Sequence, residues 1–334
     1  MSRPTLDKWM SGKIGRPLTR AALEEYQLEM LNATLTLARE SSKYYAQKSL
    51  PERLGSLREI ERLPFTRPEE LSADPYAFLC VSPREVDRIT TVATSGSSGG
   101  SKRLFFTNED VELCADFFHY GMHLMVDEHD RVGILFPAAA PGSVGELLER
   151  GLARSGIASV QLFGLIADLP ALADAIRRDK INALVGFPTL IRALAERCPD
   201  LGITTVLLAA DYVSPDCRRA VKALWGAEVF EHYGSTESGL GGAVSCEHQR
   251  GYHIREADML IEIIDPDTGR VLPEGETGEL VFTTLTRRAM PLIRYRTGDI
   301  SRFVPGPCPC GTKLLTLGHI ADRGIRKNIP NFNG

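Results

Sequence analysis

A glycine-rich stretch at residues 94–102 carries the first chemical signal. It reads Thr-Ser-Gly-Ser-Ser-Gly-Gly-Ser-Lys and combines three glycines and five hydroxyl side chains with one lysine. Glycines let the backbone turn tightly around a ligand, hydroxyls add hydrogen-bond donors, and the Lys102 ammonium adds a compact positive charge. This composition predicts a loop that holds a polyphosphate, and the alternative is a flexible linker. Because residues 88–93 and 104–107 have strand-like composition, we favour the phosphate loop.

A second chemical motif, His-Tyr-Gly-Ser-Thr-Glu, occupies residues 232–237 after the apolar strand-like residues 228–230. The aromatic ring of Tyr233 can stack on a purine, a hydroxyl can donate to a phosphate, and the Glu237 carboxylate can hold Mg²⁺. The alternative is an ordinary loop with a solvated glutamate.

A third motif, Ile-Arg-Tyr-Arg-Thr-Gly-Asp, ends at Asp299. A carboxylate after a turn can accept hydrogen bonds from both hydroxyls of a ribose, as in dinucleotide-binding folds. Taken alone, this motif is also compatible with a surface turn.

Cysteines and histidines near the third motif form a candidate metal site. Cys308 and Cys310 are separated by one residue on a Gly/Pro-rich turn, and Cys246 lies upstream, followed by two histidines, His248 and His253. Three thiolates and one imidazole would make a tetrahedral zinc site, and four protein ligands would leave no open position, so the zinc would be structural. The alternative is a set of reduced surface cysteines.

The elements that position these residues follow two patterns. Between residues 131 and 208, apolar strand-like segments alternate with helical ones, which predicts a mainly parallel sheet covered by helices on both faces. After residue 246, strand and turn segments follow one another, which predicts a smaller antiparallel β-subdomain. Residues 20–47 have helical spacing. The predicted fold class is α/β.

Bulk composition excludes several classes of protein. The formal net charge is −4, which argues against nucleic-acid binding. We expect no secretory signal and no membrane-spanning segment, because the first residues and the apolar runs are too polar or too short. The seven cysteines are then expected to be reduced thiols or metal ligands in a cytoplasmic enzyme.

Together and in this order, the three motifs resemble those of the adenylate-forming superfamily, which includes acyl-CoA synthetases, luciferases and peptide-synthetase adenylation domains. Flanking segments, among them residues 63–66, 251–254, 265–269 and 278–285, resemble the phenylacetate-CoA ligases. The resemblance covers nearly the whole chain. It implies that a carboxylate attacks the α-phosphorus of ATP to give an acyl-adenylate and pyrophosphate.

The resemblance also implies roles for individual residues. Lys102, Thr236 and Glu237 would be catalytic, with Thr236 at the α-phosphate and Glu237 on Mg²⁺. The residues that would bind the nucleotide are Thr94, Ser95, Gly96, Ser97, Ser98, Gly99, Lys102, His232, Tyr233, Gly234, Ser235, Thr236, Asp299 and Arg323. The acid would contact Phe118, His119, Phe136, Ala138, Asp211 and Gly234, an apolar set suited to an aromatic ring. His253 lies in a family-like Gly-x-His element and is preferred to His248 for zinc, beside Cys246, Cys308 and Cys310.

The predicted organisation has three parts. Residues 1–245 form the α/β adenylation core with an N-terminal helical segment, 246–316 the β-subdomain with its zinc knuckle, and 317–334 a hinge. Relatives continue into a mobile small domain that carries a further lysine, so we expect the present chain to be a short or truncated member with reduced activity.

The predicted function is ATP-dependent activation of an aryl or heteroaryl carboxylic acid, with ATP, Mg²⁺ and structural Zn²⁺ as cofactors. Coenzyme A is the expected acceptor, and a carrier-protein thiol or another nucleophile that yields an ester or amide is the alternative. A catalytically weak nucleotide- and acid-binding protein is the rival from a different class. Natural-product (antibiotic) biosynthesis and catabolism both fit, and a homodimer is possible.

Overall fold

The computed structural model describes residues 6–93 and 101–321. Within these residues it contains the following α-helices: α1 (Leu6–Ile14), α2 (Arg20–Ser41), α3 (Pro68–Ala73), α4 (Asn108–Met122), α5 (Val144–Ala153), α6 (Leu169–Arg178), α7 (Pro188–Arg197) and α8 (Pro215–Trp225). The strands are β1 (Arg88–Ala93), β2 (Ser101–Phe106), β3 (Arg131–Ile134), β4 (Ala158–Gln161), β5 (Ala183–Gly186), β6 (Thr205–Leu208), β7 (Glu228–Tyr233), β8 (Ala243–Ser245), β9 (Tyr252–Ile254), β10 (Met259–Ile264), β11 (Gly278–Thr284), β12 (Tyr295–Ser301) and β13 (Thr316–Leu317).

The largest sheet has eight strands in the order β13-β9-β8-β7-β6-β5-β3-β4. Strands β3 to β7 pair in parallel, and the pairs β7–β8, β8–β9 and β9–β13 are antiparallel. This mixed, mostly parallel sheet confirms the α/β class. Since β6 and β7 run in the same direction, the loops that follow them, including residues 234–240, lie at one edge of the sheet.

Helices cover both faces of this sheet because successive strand residues point to opposite sides. In β6, Val206 packs with α6, α7 and α8, whereas Leu207 packs in the main core with α4 and α5. In β7, Val229 packs on the side of α6, α7 and α8, and Phe230 packs on the side of α4 and α5. This two-sided burial explains why the strands read as continuous apolar runs.

A separate antiparallel sheet, β10-β11-β12, confirms the predicted smaller β unit. An isolated parallel bridge joins Tyr295 in β12 to Thr66, whose hydroxyl also contacts the Tyr45 hydroxyl at 2.8 Å. These contacts tie the start of β12 to the N-terminal part of the chain.

The strands predicted on either side of the glycine-rich stretch are present as β1 and β2, and the two pair in antiparallel fashion. The residues that join them, 94–100, lie outside the described residues, and so do the predicted nucleotide contacts Thr94, Ser95, Gly96, Ser97, Ser98 and Gly99. Arg323 in the predicted hinge is also outside. Lys102 is described and lies on β2.

The predicted boundaries at residues 245 and 316 stay a prediction. Strands β9 and β13, which follow residue 246, pair with the large sheet rather than with β10-β11-β12. Among the described residues, no helix is long and apolar enough to cross a membrane.

Candidate functional site

Two polar side chains from distant parts of the sequence meet at the Glu237 carboxylate. Lys102 Nζ on β2 forms an ion pair with Glu237 Oε1, and the Tyr295 hydroxyl on β12 donates to the same oxygen at 3.1 Å. Lys102 Nζ also donates to the Tyr295 hydroxyl at 3.3 Å. The Lys102 and Glu237 side chains are only 12% and 10% exposed. Their attraction is therefore screened less than that of a surface pair.

The protonation states of this cluster follow from its geometry. Burial acts to raise the pKa of Glu237, but the adjacent Lys102 charge and hydrogen bonds outweigh it, so the pKa lies below its ordinary value. Burial and the Glu237 charge raise the pKa of Tyr295. At neutral pH the site therefore presents an ionised carboxylate beside a protonated phenol.

The loop after β7 has a backbone that presents Glu237 in one conformation. Ser235 and Ser238 exchange two hydrogen bonds, each hydroxyl accepting from the other residue's N–H at 3.2 and 3.0 Å. Leu240 N–H donates to the Ser235 carbonyl at 2.8 Å. A Cβ on Gly234 would lie 2.2 Å from the Leu240 carbonyl oxygen, so the close approach requires glycine. The predicted phosphate contact Thr236 lies within this turn.

The second and third motifs touch through their predicted adenine and ribose residues. The Tyr233 hydroxyl donates to Asp299 Oδ2 at 3.0 Å, and Asp299 is buried. Gly298 adopts a left-handed φ of 70°, and Asp299 N–H donates to Thr297 Oγ1 at 2.9 Å. A tight turn thus holds the Asp299 carboxylate beside the Tyr233 ring.

His232, which precedes Tyr233, faces the aromatic side chains of α4. Its ring centroid lies 5.6 Å from that of Phe117 and 6.1 Å from that of Phe118. Burial, and then the nearby Arg255 charge, lower the pKa of His232 to about 4. It is therefore a neutral ring at pH 7 and forms part of an apolar wall with Phe118.

Three other predicted acid-pocket residues lie in the loops that follow β3 and β6. Phe136 follows β3 and packs edge-on against Phe187 at 4.7 Å. Ala138 lies in the loop between β3 and α5, where a Cβ on Gly145 would approach it to 3.0 Å. Asp211 is exposed in the loop after β6, and its carboxylate accepts from the following N–H at 2.7 Å.

His119 is turned toward α5 rather than toward His232. Its Nδ1 shares the Ser155 hydroxyl with His123 Nε2, with a distance of 2.7 Å between Ser155 Oγ and His119 Nδ1. Both histidines therefore pack against Ser155, His119 from the last turn of α4 and His123 from the residue that caps this helix.

Two arginines of the site escaped the sequence interpretation. Arg287 Nη1 donates to the Glu237 carbonyl at 2.5 Å, and Arg255 Nη2 donates to the Ser238 carbonyl at 2.5 Å. Both side chains are buried. A hydrogen bond from a side chain to a distant backbone carbonyl leaves no spacing pattern in the sequence. The one available signal was that each arginine follows an apolar strand, β9 or β11.

The predicted zinc ligands converge. One ligand atom each from Cys246, His253, Cys308 and Cys310 lies within 4.8 Å of the others. The Cys246 and Cys308 sulfurs are 3.6 Å apart, and Cys310 Sγ is 3.4 Å from His253 Nε2. Tetrahedral bonds of about 2.3 Å to sulfur and about 2.0 Å to nitrogen require separations of about 3.5 to 3.8 Å, so the cluster fits zinc. His248 is exposed and outside this cluster.

Comparison with known proteins agrees with the motifs. The protein-family model "AMP-binding enzyme" matches residues 19–285. The phenylacetate-coenzyme A ligase of Pseudomonas putida is 29% identical over 302 residues, which cover 85% of this chain and 67% of that protein. The ligase of the same name from Thermus thermophilus is 30% identical over 82% of this chain and 63% of its own length. That of Aromatoleum evansii is 30% identical over 92% and 72%. The chain thus spans about two thirds of the length of these relatives.

Solved structures share the fold. A 2-hydroxyisobutyryl-CoA ligase in complex with 2-HIB-AMP and CoA superposes with a TM-score of 0.79 at 21% identity, over 90% of this chain and 68% of that one. At this identity the likeness concerns the fold alone.

Proposed function

Because the chain belongs to the family of AMP-binding enzymes and resembles phenylacetate-CoA ligases over most of its length, we propose that it activates a carboxylic acid with ATP. A carboxylate oxygen forms a bond to the α-phosphorus, and the bond between that phosphorus and the bridging oxygen of pyrophosphate breaks. The thiol sulfur of coenzyme A then attacks the acyl carbonyl carbon, and AMP leaves. This is an acid–thiol ligase reaction.

The observation that carries this proposal is the convergence of Lys102, Glu237 and Tyr295. Activation brings the carboxylate and the triphosphate of ATP together. The site must therefore neutralise their negative charge and hold the two reacting atoms in position. Lys102 supplies a positive charge for the β- and γ-phosphates. Glu237 would hold the Mg²⁺ that accompanies ATP, in keeping with the preference of that ion for one or two carboxylates plus phosphate oxygens.

The remaining nucleotide contacts come from the end of β7 and the loop after it, from β12 and from residues 94–99. Thr236 donates to the α-phosphate, the Asp299 carboxylate accepts from the ribose hydroxyls, and the Tyr233 ring lines the adenine site. The hydroxyls and N–H groups of residues 94–99 complete the phosphate contacts.

For the acid, we favour an aromatic ring. The neutral His232 ring and Phe118 form an apolar wall next to Gly234, and Phe136 and Ala138 extend the set. The names of the curated relatives support the same acid class. Asp211 and His119 remain candidate contacts, although the first is exposed and the second bonds to Ser155. A carrier-protein thiol or an amine or alcohol acceptor is the alternative to coenzyme A.

Cys246, His253, Cys308 and Cys310 would hold a structural zinc ion. Zinc would join the segment after β8 to the loop before β13 and so stabilise one edge of the large sheet. It would supply no open coordination position, and no chemical step is assigned to it.

ATP–pyrophosphate exchange with a panel of phenylacetic, benzoic, heteroaromatic and short aliphatic acids tests the function. We expect acid-dependent exchange that is strongest with an aryl acid. Glu237→Gln should lose most of the Mg²⁺-dependent exchange. If no acid in the panel supports exchange although the protein binds ATP tightly, the rival interpretation as a binding protein is favoured.

A further inference from the structure

Arg287 links the two elements that carry Lys102 and Glu237. Its Nη1 donates to the Glu237 carbonyl at 2.5 Å, and its Nη2 donates to the Phe105 carbonyl on β2 at 3.4 Å. Lys102 lies on the same strand, three residues before Phe105. A single planar guanidinium therefore spans the gap between β2, which carries Lys102, and residues 234–240, which carry Glu237 and are called the glutamate loop below.

Arg255 makes a parallel contact one residue further along the loop. Its Nη2 donates to the Ser238 carbonyl at 2.5 Å. Two consecutive carbonyls of the glutamate loop thus accept from two arginines that come from different segments, one after β9 and one after β11. This arrangement restrains rotation of the peptide units beside Glu237.

Placing two cations in the protein interior is costly unless other groups compensate. Burial lowers the pKa of Arg287 to about 10, which still leaves it charged at neutral pH. Asp110 and Asp258 provide the nearby negative charge, and the Arg287 guanidinium lies 4.3 Å from the centroid of the Phe106 ring. Apolar side chains could fill the same space without this cost. We therefore look for a role that requires the two buried guanidinium groups.

We propose that Arg287 and Arg255 are positioning residues that hold the Glu237 carboxylate and the Lys102 ammonium at the spacing required for Mg²⁺-bound ATP. This inference rests on the proposed function and assigns two residues that the motifs do not contain. The contacts of the arginines are with backbone carbonyls of Glu237, Ser238 and Phe105. They act by fixing the backbone of the glutamate loop relative to β2.

The test is the Mg²⁺ dependence of nucleotide binding in the full chain, measured by fluorescence titration with an N-methylanthraniloyl derivative of ATP. In Arg287→Met, which removes the charge and keeps the length of the side chain, the Mg²⁺ concentration for half-maximal binding should rise about 10-fold. Binding measured without Mg²⁺ should change much less. Arg287→Lys keeps the charge but cannot span both carbonyls, and it should give an intermediate shift.

Val221→Ala on α8 is the matched stability control, because Val221 is buried in the apolar cluster between the large sheet and helices α6, α7 and α8, which includes no residue of 234–240. It should lower the unfolding temperature without changing the Mg²⁺ midpoint. If Arg287→Lys folds and binds the ATP derivative with the wild-type Mg²⁺ midpoint, the proposal is overturned. This measurement on Arg287→Lys still tests the proposal if Arg287→Met does not fold. Failure of the proposed function itself looks different, because the wild-type protein would then show no acid-dependent ATP–pyrophosphate exchange, whatever the Mg²⁺ midpoints of its variants.

Discussion

The Lys102 ammonium contacts the Glu237 carboxylate across 135 residues of sequence. The pair joins the strand that follows the glycine-rich stretch to the loop that follows β7. Each partner belongs to a motif that the sequence singled out on its own, and their contact makes one site of two motifs. Tyr295, from the third motif, bonds to both partners.

Removing the Tyr295 hydroxyl is the smallest change that tests this site. In Tyr295→Phe, the Glu237 carboxylate loses one donor and keeps its ion pair with Lys102. The loss of about 1 to 1.5 kcal/mol should lower kcat/KM for ATP in pyrophosphate exchange about 5- to 10-fold.

Tyr45→Phe is the control for this prediction. It also removes a buried hydroxyl, but one that bonds to Thr66 and to the Ile293 N–H rather than to Lys102 or Glu237. It should reduce stability and leave kcat/KM for ATP within about twofold, as expected for a residue outside the site. Equal exchange rates in Tyr295→Phe and the wild type would remove the hydroxyl from the mechanism.

His232 predicts a specific dependence of stability on pH. Its pKa is lowered to about 4 in the folded protein, from 6.5. The unfolded chain therefore binds the proton more readily between these values, so the stabilising contribution is complete above pH 6.5 and is lost as pH falls toward 4. Between pH 7 and pH 5 this one group should reduce the free energy of unfolding by about 2 kcal/mol.

Denaturant titrations of the wild type and His232→Phe at pH 7 and pH 5 measure this contribution. The phenylalanine ring keeps the contact with Phe117 and Phe118 but cannot bind a proton. The variant should be less sensitive to acid by the stated amount, whereas parallel curves for the two proteins would show that His232 is not the group responsible.

The sulfur–imidazole cluster predicts one bound zinc ion per chain, measurable by inductively coupled plasma mass spectrometry on freshly prepared protein. Cys308→Ser should lose the metal and unfold at a lower temperature, because metal binding contributes to folding free energy. Cys198→Ser, at a partly buried cysteine outside the cluster, should keep the metal. Fresh wild-type protein that lacks stoichiometric metal contradicts the assignment.

The sequence predicted those features that repeat or cluster along the chain. The alternation of apolar strands and helices identified the parallel sheet because both of its faces are buried. The spacing of Cys308 and Cys310 indicated the metal cluster. The choice of His253 over His248 as a zinc ligand stays a prediction, which the geometry supports.

Other features depend on tertiary contacts and were missed. Helix α1 was not predicted, although Leu6, Trp9 and Met10 have helical spacing, because so short a helix gains its stability from packing such as the stacking of Trp9 on Tyr120. The helix predicted for residues 20–47 ends at Ser41, and the Tyr44 N–H donates to the Ala77 carbonyl at 2.9 Å instead of to the carbonyl four residues earlier. Arg255 and Arg287 were missed for the same reason, because their partners are backbone carbonyls that only the fold brings near.

The fate of the acid's oxygen tests the central claim most directly. Phenylacetate with ¹⁸O in its carboxylate is incubated with the protein, ATP, Mg²⁺ and coenzyme A, and the AMP formed is examined by mass spectrometry, with Glu237→Gln as the matched variant. If the carboxylate attacks the α-phosphorus, each AMP gains one ¹⁸O, and the variant forms much less of it. Formation of ADP and phosphate, or of AMP without the label, would contradict acid activation through an acyl-adenylate.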